Sequence, residues 1–195
     1  MKVLLVAEGP HEHGRETRHG ALEMLVRRLL DWDADFEHDR LARNDIHAHH
    51  GKGRGYYKKA LRWMLDAAKK GFDAIILLVD EDGLAERRTE IADAQASEIS
   101  SIRRALGTPI RTFDAWILAD EQALTEVLGM QVQRQKPVET IRDPKKVCKC
   151  LRDDSGKDMA QRDMYELVMA RADLATLSER SARGFAPFAE RVRAL

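Results

Sequence analysis

The chain has almost no cysteine: Cys148 and Cys150 are the only two among 195 residues. A disulfide-stapled framework is therefore excluded. The two sit one residue apart in a basic, helix-prone stretch. Side chains at that spacing diverge on a helix, so free thiols are expected, and neither a metal pair nor a disulfide. The chain also lacks an excess of charge. Thirty-three basic and 33 acidic residues leave a formal net charge of +0, so any polyanion site must come from local clustering. No apolar run approaches the ~20 residues that span a bilayer. The amino terminus reads as a strand, with no charged-then-apolar leader. A cytoplasmic protein without membrane attachment is expected. There is no internal repeat, no low-complexity segment and no nucleotide P-loop. The glycine-rich run G-K-G-R-G at 51–55 lacks the G-x-x-x-x-G-K-[ST] form. What remains is 44% hydrophobic and 34% charged, which suits one globular domain with a real core.

Residues 2–7 and 72–79 are short runs rich in Val, Ile and Leu. Such runs read as strands buried on both faces, as in a parallel sheet. Leu22, Leu25, Val26, Leu29 and Leu30 recur at helical spacing and predict an amphipathic helix over 15–32. Tyr57, Leu61, Met64, Leu65 and Ala68 predict another over 56–70, closed by Gly71. Weak strand potential lies near Phe36 and near Ile46. Further helices are expected over 88–106, closed by Gly107, and over 115–128, with a strand over 109–113 between them. This alternation predicts right-handed crossovers and a mostly parallel α/β sheet flanked by helices. Beyond residue 129 the character changes to short helices over 144–151, 159–171 and 185–195. The expected organisation is an α/β core over 1–128 with a helical extension over 129–195 packed on it.

The chemistry is carried by acids at the ends of the apolar runs. Glu8 ends the first run, and Asp80 and Asp82 end the second. At an extended strand end Asp80 and Asp82 face one side while Glu81 points away. In open α/β sheets ligands bind outside the carboxyl ends of the strands. Carboxylates gathered there repel one another. A hard cation with a preference for oxygen, Mg²⁺ (or Mn²⁺), would relieve that repulsion. Glu12, in E-G-P-H-E, returns near the first turn of the next helix. Asp114, in F-D-A-W-I-L-A-D, stands at a strand-to-helix junction as a metal ligand or as a helix cap. Asp120 reads as a surface or supporting group, and Trp116 as core.

His47, His49 and His50 fit no familiar zinc spacing and read as surface. His11 and His13 neighbour the acids and are placed for proton transfer. Lys52, Arg54, Lys58, Lys59 and Arg62, with Tyr56 and Tyr57 among them, form either a nucleic-acid-binding patch or a solvated helix start. Arg103, Arg104, Lys145, Lys146 and Lys149 add basic surface of no evident use.

The E-G…D-x-D pattern on alternating strands and helices resembles the TOPRIM (topoisomerase–primase) domain. The second glutamate of E-G-P-H-E resembles its nuclease branch, the OLD-type ("overcoming lysogenization defect") enzymes. F-D-A-W-I-L-A-D, D-P-K at 143–145 and S-A-R-G-F-A-P-F at 181–188 resemble, over nearly the whole chain, a bacterial TOPRIM-like family often encoded beside an ATPase. The resemblance implies a Mg²⁺-dependent nuclease, with phage defence as the setting for some such pairs. It implies that Glu8 is a general base or metal ligand, that Glu12 is the second acid, and that Asp80 and Asp82 are metal ligands. Asp114 stands where relatives carry Glu. Lys157, in S-G-K, is the candidate for the lysine that steadies the scissile phosphate. Nucleic acid and an ATPase protein are the implied partners, and self-association is left open. The alternative is a subunit that is silent by itself and works only with an ATPase.

Overall fold

The computed structural model describes residues 1–9, 19–41 and 55–195. Four strands form one all-parallel sheet: β1 (Lys2–Ala7), β2 (Asp35–Arg40), β3 (Ala74–Leu78) and β4 (Arg103–Gly107), in the order β2-β1-β3-β4. The central pairing is Val3 with Ala74 through Val6 with Leu77. Every residue of β3, and Val3 to Ala7 of β1, is buried. That is why these two strands read as unbroken apolar runs: both of their faces are covered. β2 is an edge strand of sequence DFEHDR and is only half covered, so its pattern is faint.

The two faces of the sheet carry separate cores. Leu4, Val6, Ile75, Leu77 and Leu106 pack with α2 (Gly55–Lys69) and α3 (Ala85–Gln95) through Trp63, Met64 and Ile91. Val3, Leu5, Ile76 and Leu78 pack on the other face with α1 (Ala21–Leu29) and the carboxyl-terminal helices. These are α4 (Asp114–Ile117), α5 (Glu121–Leu128), α6 (Pro144–Asp154), α7 (Gln161–Arg171), α8 (Leu174–Arg180) and α9 (Phe185–Arg193). The result is an α/β, Rossmann-like architecture with a helical carboxyl-terminal part, whose apolar side chains share one cluster with the sheet. No described helix is long and apolar enough to cross a membrane.

Three segments singled out in the sequence lie in this part of the fold. Trp116 of F-D-A-W is fully buried, with ring centroids 5.3 Å from both Phe185 and Phe188. Asp143 of D-P-K caps α6 through the Lys146 amide at 3.0 Å, with Pro144 in the first turn. Cys148 is buried and Cys150 exposed, as diverging side chains should be.

Four expectations need correction. The helix expected over 88–106 ends at Gln95, and residues 103–107 form β4 in place of a strand over 109–113. Ser97 and Ser100 each bind a backbone amide two residues on, at Ile99 and Ile102, which competes with helix propagation. Gln95 then ties the helix end to β4 through the Leu106 amide and the Arg104 carbonyl. Gly107 is therefore no helix cap. A Cβ there would meet Phe188 Cδ2 at 2.5 Å and Leu78 Cδ1 at 2.9 Å, so glycine is required for α9 to approach the sheet. The helix expected over 115–128 breaks at Asp120, a buried residue that caps α5 through the Gln122 and Ala123 amides, both at 3.0 Å, and also holds the Asp173 amide. Helix α8 was not foreseen. The weak strand potential near Phe36 is β2, while that near Ile46 falls outside the described residues.

Candidate active site at the carboxyl ends of the central strands

The chain leaves β1 through α1 on one face and returns to β3 through α2 on the other. The topological switch point is therefore the crevice between β1 and β3, where open α/β sheets bind their ligands. Glu8 follows β1 and Asp80 follows β3 at that crevice. Alternation from Leu4 and Val6 turns Glu8 toward α2 and α3. Its Oε2 accepts the Asp80 backbone N–H at 3.2 Å, which joins the two strand ends directly.

Arg87, from the first turn of α3, holds the cluster together. Its Nη1 donates to Asp82 Oδ2 at 3.0 Å and to the Asp80 carbonyl at 2.9 Å, and lies 3.9 Å from Glu8 Oε2. The Glu8 and Asp82 oxygens are therefore no farther apart than the sum of two short contacts. The guanidinium also stacks over the Tyr56 ring, 4.6 Å from its centroid. Arg87 Nε is buried with no hydrogen-bond partner among the described residues.

Burial pushes the Glu8 carboxyl above its ordinary range, and Asp82 adds to that rise. Arg87, the Asp80 amide and the Tyr56 hydroxyl oppose it without cancelling it. Tyr56 is raised by burial and by Glu8. Lys59, on the same helix, is lowered by burial, with Glu8 pulling the other way. The site thus holds a partly desolvated acid within electrostatic range of a partly desolvated lysine.

The loops after β3 and β4 stay zipped together beyond the strands. Val79, Glu81 and Asp82 donate to the carbonyls of Gly107, Pro109 and Arg111 at 3.1, 3.0 and 2.8 Å. At the tip Asp82 takes φ 52° and Arg111 φ 69°. Aspartate tolerates the left-handed region, but a long side chain such as arginine is strained there. Strain of this kind is retained where the surroundings over-determine it, and it clusters at functional sites. Gly83 follows at φ 77°, in the left-handed region that favours glycine.

The structure thus brings Glu8, Asp80 and Asp82 to one rim, though with different orientations from those expected. Because Asp82 is left-handed, it does not share Asp80's direction. Asp80 Oδ1 accepts the Phe113 amide at 3.0 Å, while Asp82 is half exposed and pairs with Arg87. Glu81 is turned from the cluster as expected, toward Arg88 and not Arg87. It is buried, 3.7 Å from Arg88. Among the described residues, no group of three acids, histidines or cysteines is close enough to enclose a metal.

Asp114 and Lys157 are not joined to the cluster. The Asp114 carboxylate is buried and accepts the Tyr165 hydroxyl of α7, and it does not cap its own helix. Lys157 Nζ donates to the Val127 carbonyl at 2.7 Å, at the end of α5. Of the basic run, Lys58 and Arg62 are exposed on α2 and Lys59 is half-buried within electrostatic range of Glu8. Glu12, Lys52, Arg54, His11, His13, His47, His49 and His50 lie outside the described residues. Arg87 was not singled out in the sequence. The signal was available: an arginine in the first turn of the helix that follows D-x-D-G.

Comparison with protein-family models, with curated proteins and with solved structures finds no match.

Proposed function

We propose that this protein is a Mg²⁺-dependent, TOPRIM-like nuclease that hydrolyses phosphodiester bonds of DNA or RNA at the β1–β3 crevice. One observation carries the reading: Glu8, Asp80 and Asp82 converge at the switch point of a parallel sheet, with Arg87 beside them and Lys59 within electrostatic range of Glu8. The donor set suits the metal in kind. Mg²⁺ is commonly held by one or two carboxylates, with water and substrate phosphate completing its shell. Glu8 and Asp82 would hold it, with Asp80 adjoining. Bound there, the ion would activate water and stabilise charge on the phosphoryl oxygens.

The chain's own residues supply the rest. Glu8, in its ionised form a stronger base than an ordinary carboxylate because burial raises its carboxyl, accepts a proton from the attacking water. Lys59 and Arg87, in place of Lys157, offset charge that grows on the phosphate. Tyr56 shields one side of Glu8. Asp80 fixes the loop geometry by holding the Phe113 amide.

A second reading is favoured by Arg87 itself. Its guanidinium lies between Glu8 and Asp82, where it offsets part of their charge without a metal. In that reading the protein is a subunit silenced by Arg87 until an ATPase partner, such as those encoded beside the family it resembles, draws the arginine away.

The test is cleavage of plasmid and oligonucleotide substrates with Mg²⁺ or Mn²⁺, comparing wild type with Asp82→Asn. Asparagine keeps the left-handed backbone. Metal-dependent cleavage by wild type, reduced at least tenfold in the variant, supports the nuclease. Equal cleavage by both proteins removes Asp82 from the chemistry. Cleavage that appears only when the ATPase is added supports the second reading.

A further inference from the structure

A second concave site lies one strand farther along the same rim, on the β4 side. It is a groove of about 330 Å³ between α3, the end of β4 and α9, lined by Arg88, Thr89, Thr108, Arg183 and Arg191, with Phe188 at its floor. A protein with no net charge has gathered three guanidinium groups and two hydroxyl side chains there.

Three acids bear on the groove: Glu190 acts on Arg191 through its charge, and the other two leave Arg183 unmatched. Glu81 is buried and reaches Arg88 only at 3.7 Å. Glu139 spends its carboxylate on the Ser181 hydroxyl and the Arg183 and Gly184 amides, at 2.9, 3.0 and 2.8 Å. The Arg183 side chain has no hydrogen-bond or ion-pair partner among the described residues. Arg191 is fixed by donating to the Leu106 carbonyl at 2.6 Å. Because Glu139 already occupies the amides that precede α9, an anion in the groove would be held by side chains. Paired guanidinium groups and hydroxyls are the set that suits phosphate oxygens.

The groove is coupled to the acid cluster through consecutive residues. Arg87 reaches Glu8 and Asp82, while its neighbour Arg88 lines the groove. The Glu81–Asp82 segment likewise spans the two, with Glu81 beside Arg88 and Asp82 on Arg87.

We propose that this groove binds a backbone phosphate of a polynucleotide strand and so positions the strand across the β1–β3 crevice. The placement relative to cleavage rests on the nuclease reading; the binding itself does not.

The test is fluorescence anisotropy with a labelled oligothymidylate in excess EDTA, where no cleavage occurs. Wild type is compared with Arg183→Ala and with Arg88→Ala, Arg183→Ala together. Arg183 is exposed, so its loss should leave the fold intact, which a thermal melt would check. Each lost phosphate contact lowers the slope of log affinity against log salt by about 0.7 on a single strand. We expect Arg183→Ala to weaken binding about three- to tenfold with that loss of slope, and the double variant to lose more of both. Unchanged affinity and slope in the double variant overturn the proposal. So does a wild type that ignores the oligonucleotide while inorganic phosphate raises its melting temperature, since the groove then takes small anions. If wild type binds in this way but never cleaves with Mg²⁺ or Mn²⁺, the groove stands and the nuclease reading falls.

Discussion

Glu8→Gln separates chemistry from architecture at the β1–β3 crevice. The amide keeps an oxygen for the Asp80 N–H, now 3.2 Å from Oε2, and keeps the side-chain volume. It loses the charge that faces Arg87 at 3.9 Å and the proton affinity that the mechanism uses. Two effects on stability oppose each other. A charged acceptor becomes neutral, which costs on the order of 1 kcal/mol. A half-buried carboxylate is removed, which relieves the desolvation that pushes its carboxyl upward.

The sign of the second effect follows from linkage. A folded-state carboxyl raised above its ordinary 4.5 binds its proton more tightly than the unfolded chain does. Ionisation of Glu8 therefore removes stability as pH rises from 4.5 through the folded value. The net change at neutral pH should lie within about 1 kcal/mol, or roughly 2–4 °C in Tm for a chain of this size. The wild-type fall in stability above pH 4.5 should be shallower in the variant. Activity should drop ~10²- to 10⁴-fold, the usual contribution of a general base, or about 3–5 kcal/mol in the barrier. Thermal melts across pH, paired with metal-dependent oligonucleotide cleavage, read both quantities. Cleavage at the wild-type rate would refute the reasoning, as would a loss of activity that merely tracks unfolding.

Three further predictions concern the frame around the site. Asp120→Ala removes the acceptor for the Gln122, Ala123 and Asp173 amides and should cost about 2–3 kcal/mol by denaturant titration. Gly107→Ala drives a methyl into Phe188 and Leu78 and should cost about 1–3 kcal/mol, measured in the same way. Glu23 is buried against His38 Nε2 at 2.7 Å and Arg27 Nε at 2.8 Å. Burial raises its carboxyl, but these partners and His19 outweigh burial and hold it below the ordinary 4.5. Its contribution is therefore complete above pH 4.5 and is lost as pH falls through the lower folded value. The stability gap between wild type and Glu23→Gln should close over that acid range.

The sequence made the central strands and the acids after them legible because burial on both faces leaves an unambiguous apolar run, and Glu8 and Asp80 mark where each run stops. It hid β4, because Arg103 and Arg104 give that strand no apolar start and the serines before it resemble helix surface. It hid Asp82's direction, because the left-handed turn at that residue breaks the extended alternation that its spacing implied. Arg87 was legible only as an arginine just after D-x-D-G; that the first turn of α3 brings it to both strand ends shows only in three dimensions. Lys157 was singled out by the family resemblance alone, and Asp114 by its junction position and by the resemblance. Their partners, the Val127 carbonyl and the Tyr165 hydroxyl, lie 30 and 51 residues away in sequence. Contacts at that separation carry no local signal.

The most direct test of a shared metal pocket is a Mn²⁺ titration followed by electron paramagnetic resonance, with oligothymidylate present to complete the metal's shell. The account predicts that wild type removes Mn²⁺ from the free-ion signal, and that Glu8→Gln and Asp82→Asn each weaken this at least tenfold while remaining folded. A free-ion spectrum throughout the wild-type titration, or uptake that neither substitution changes, would contradict it.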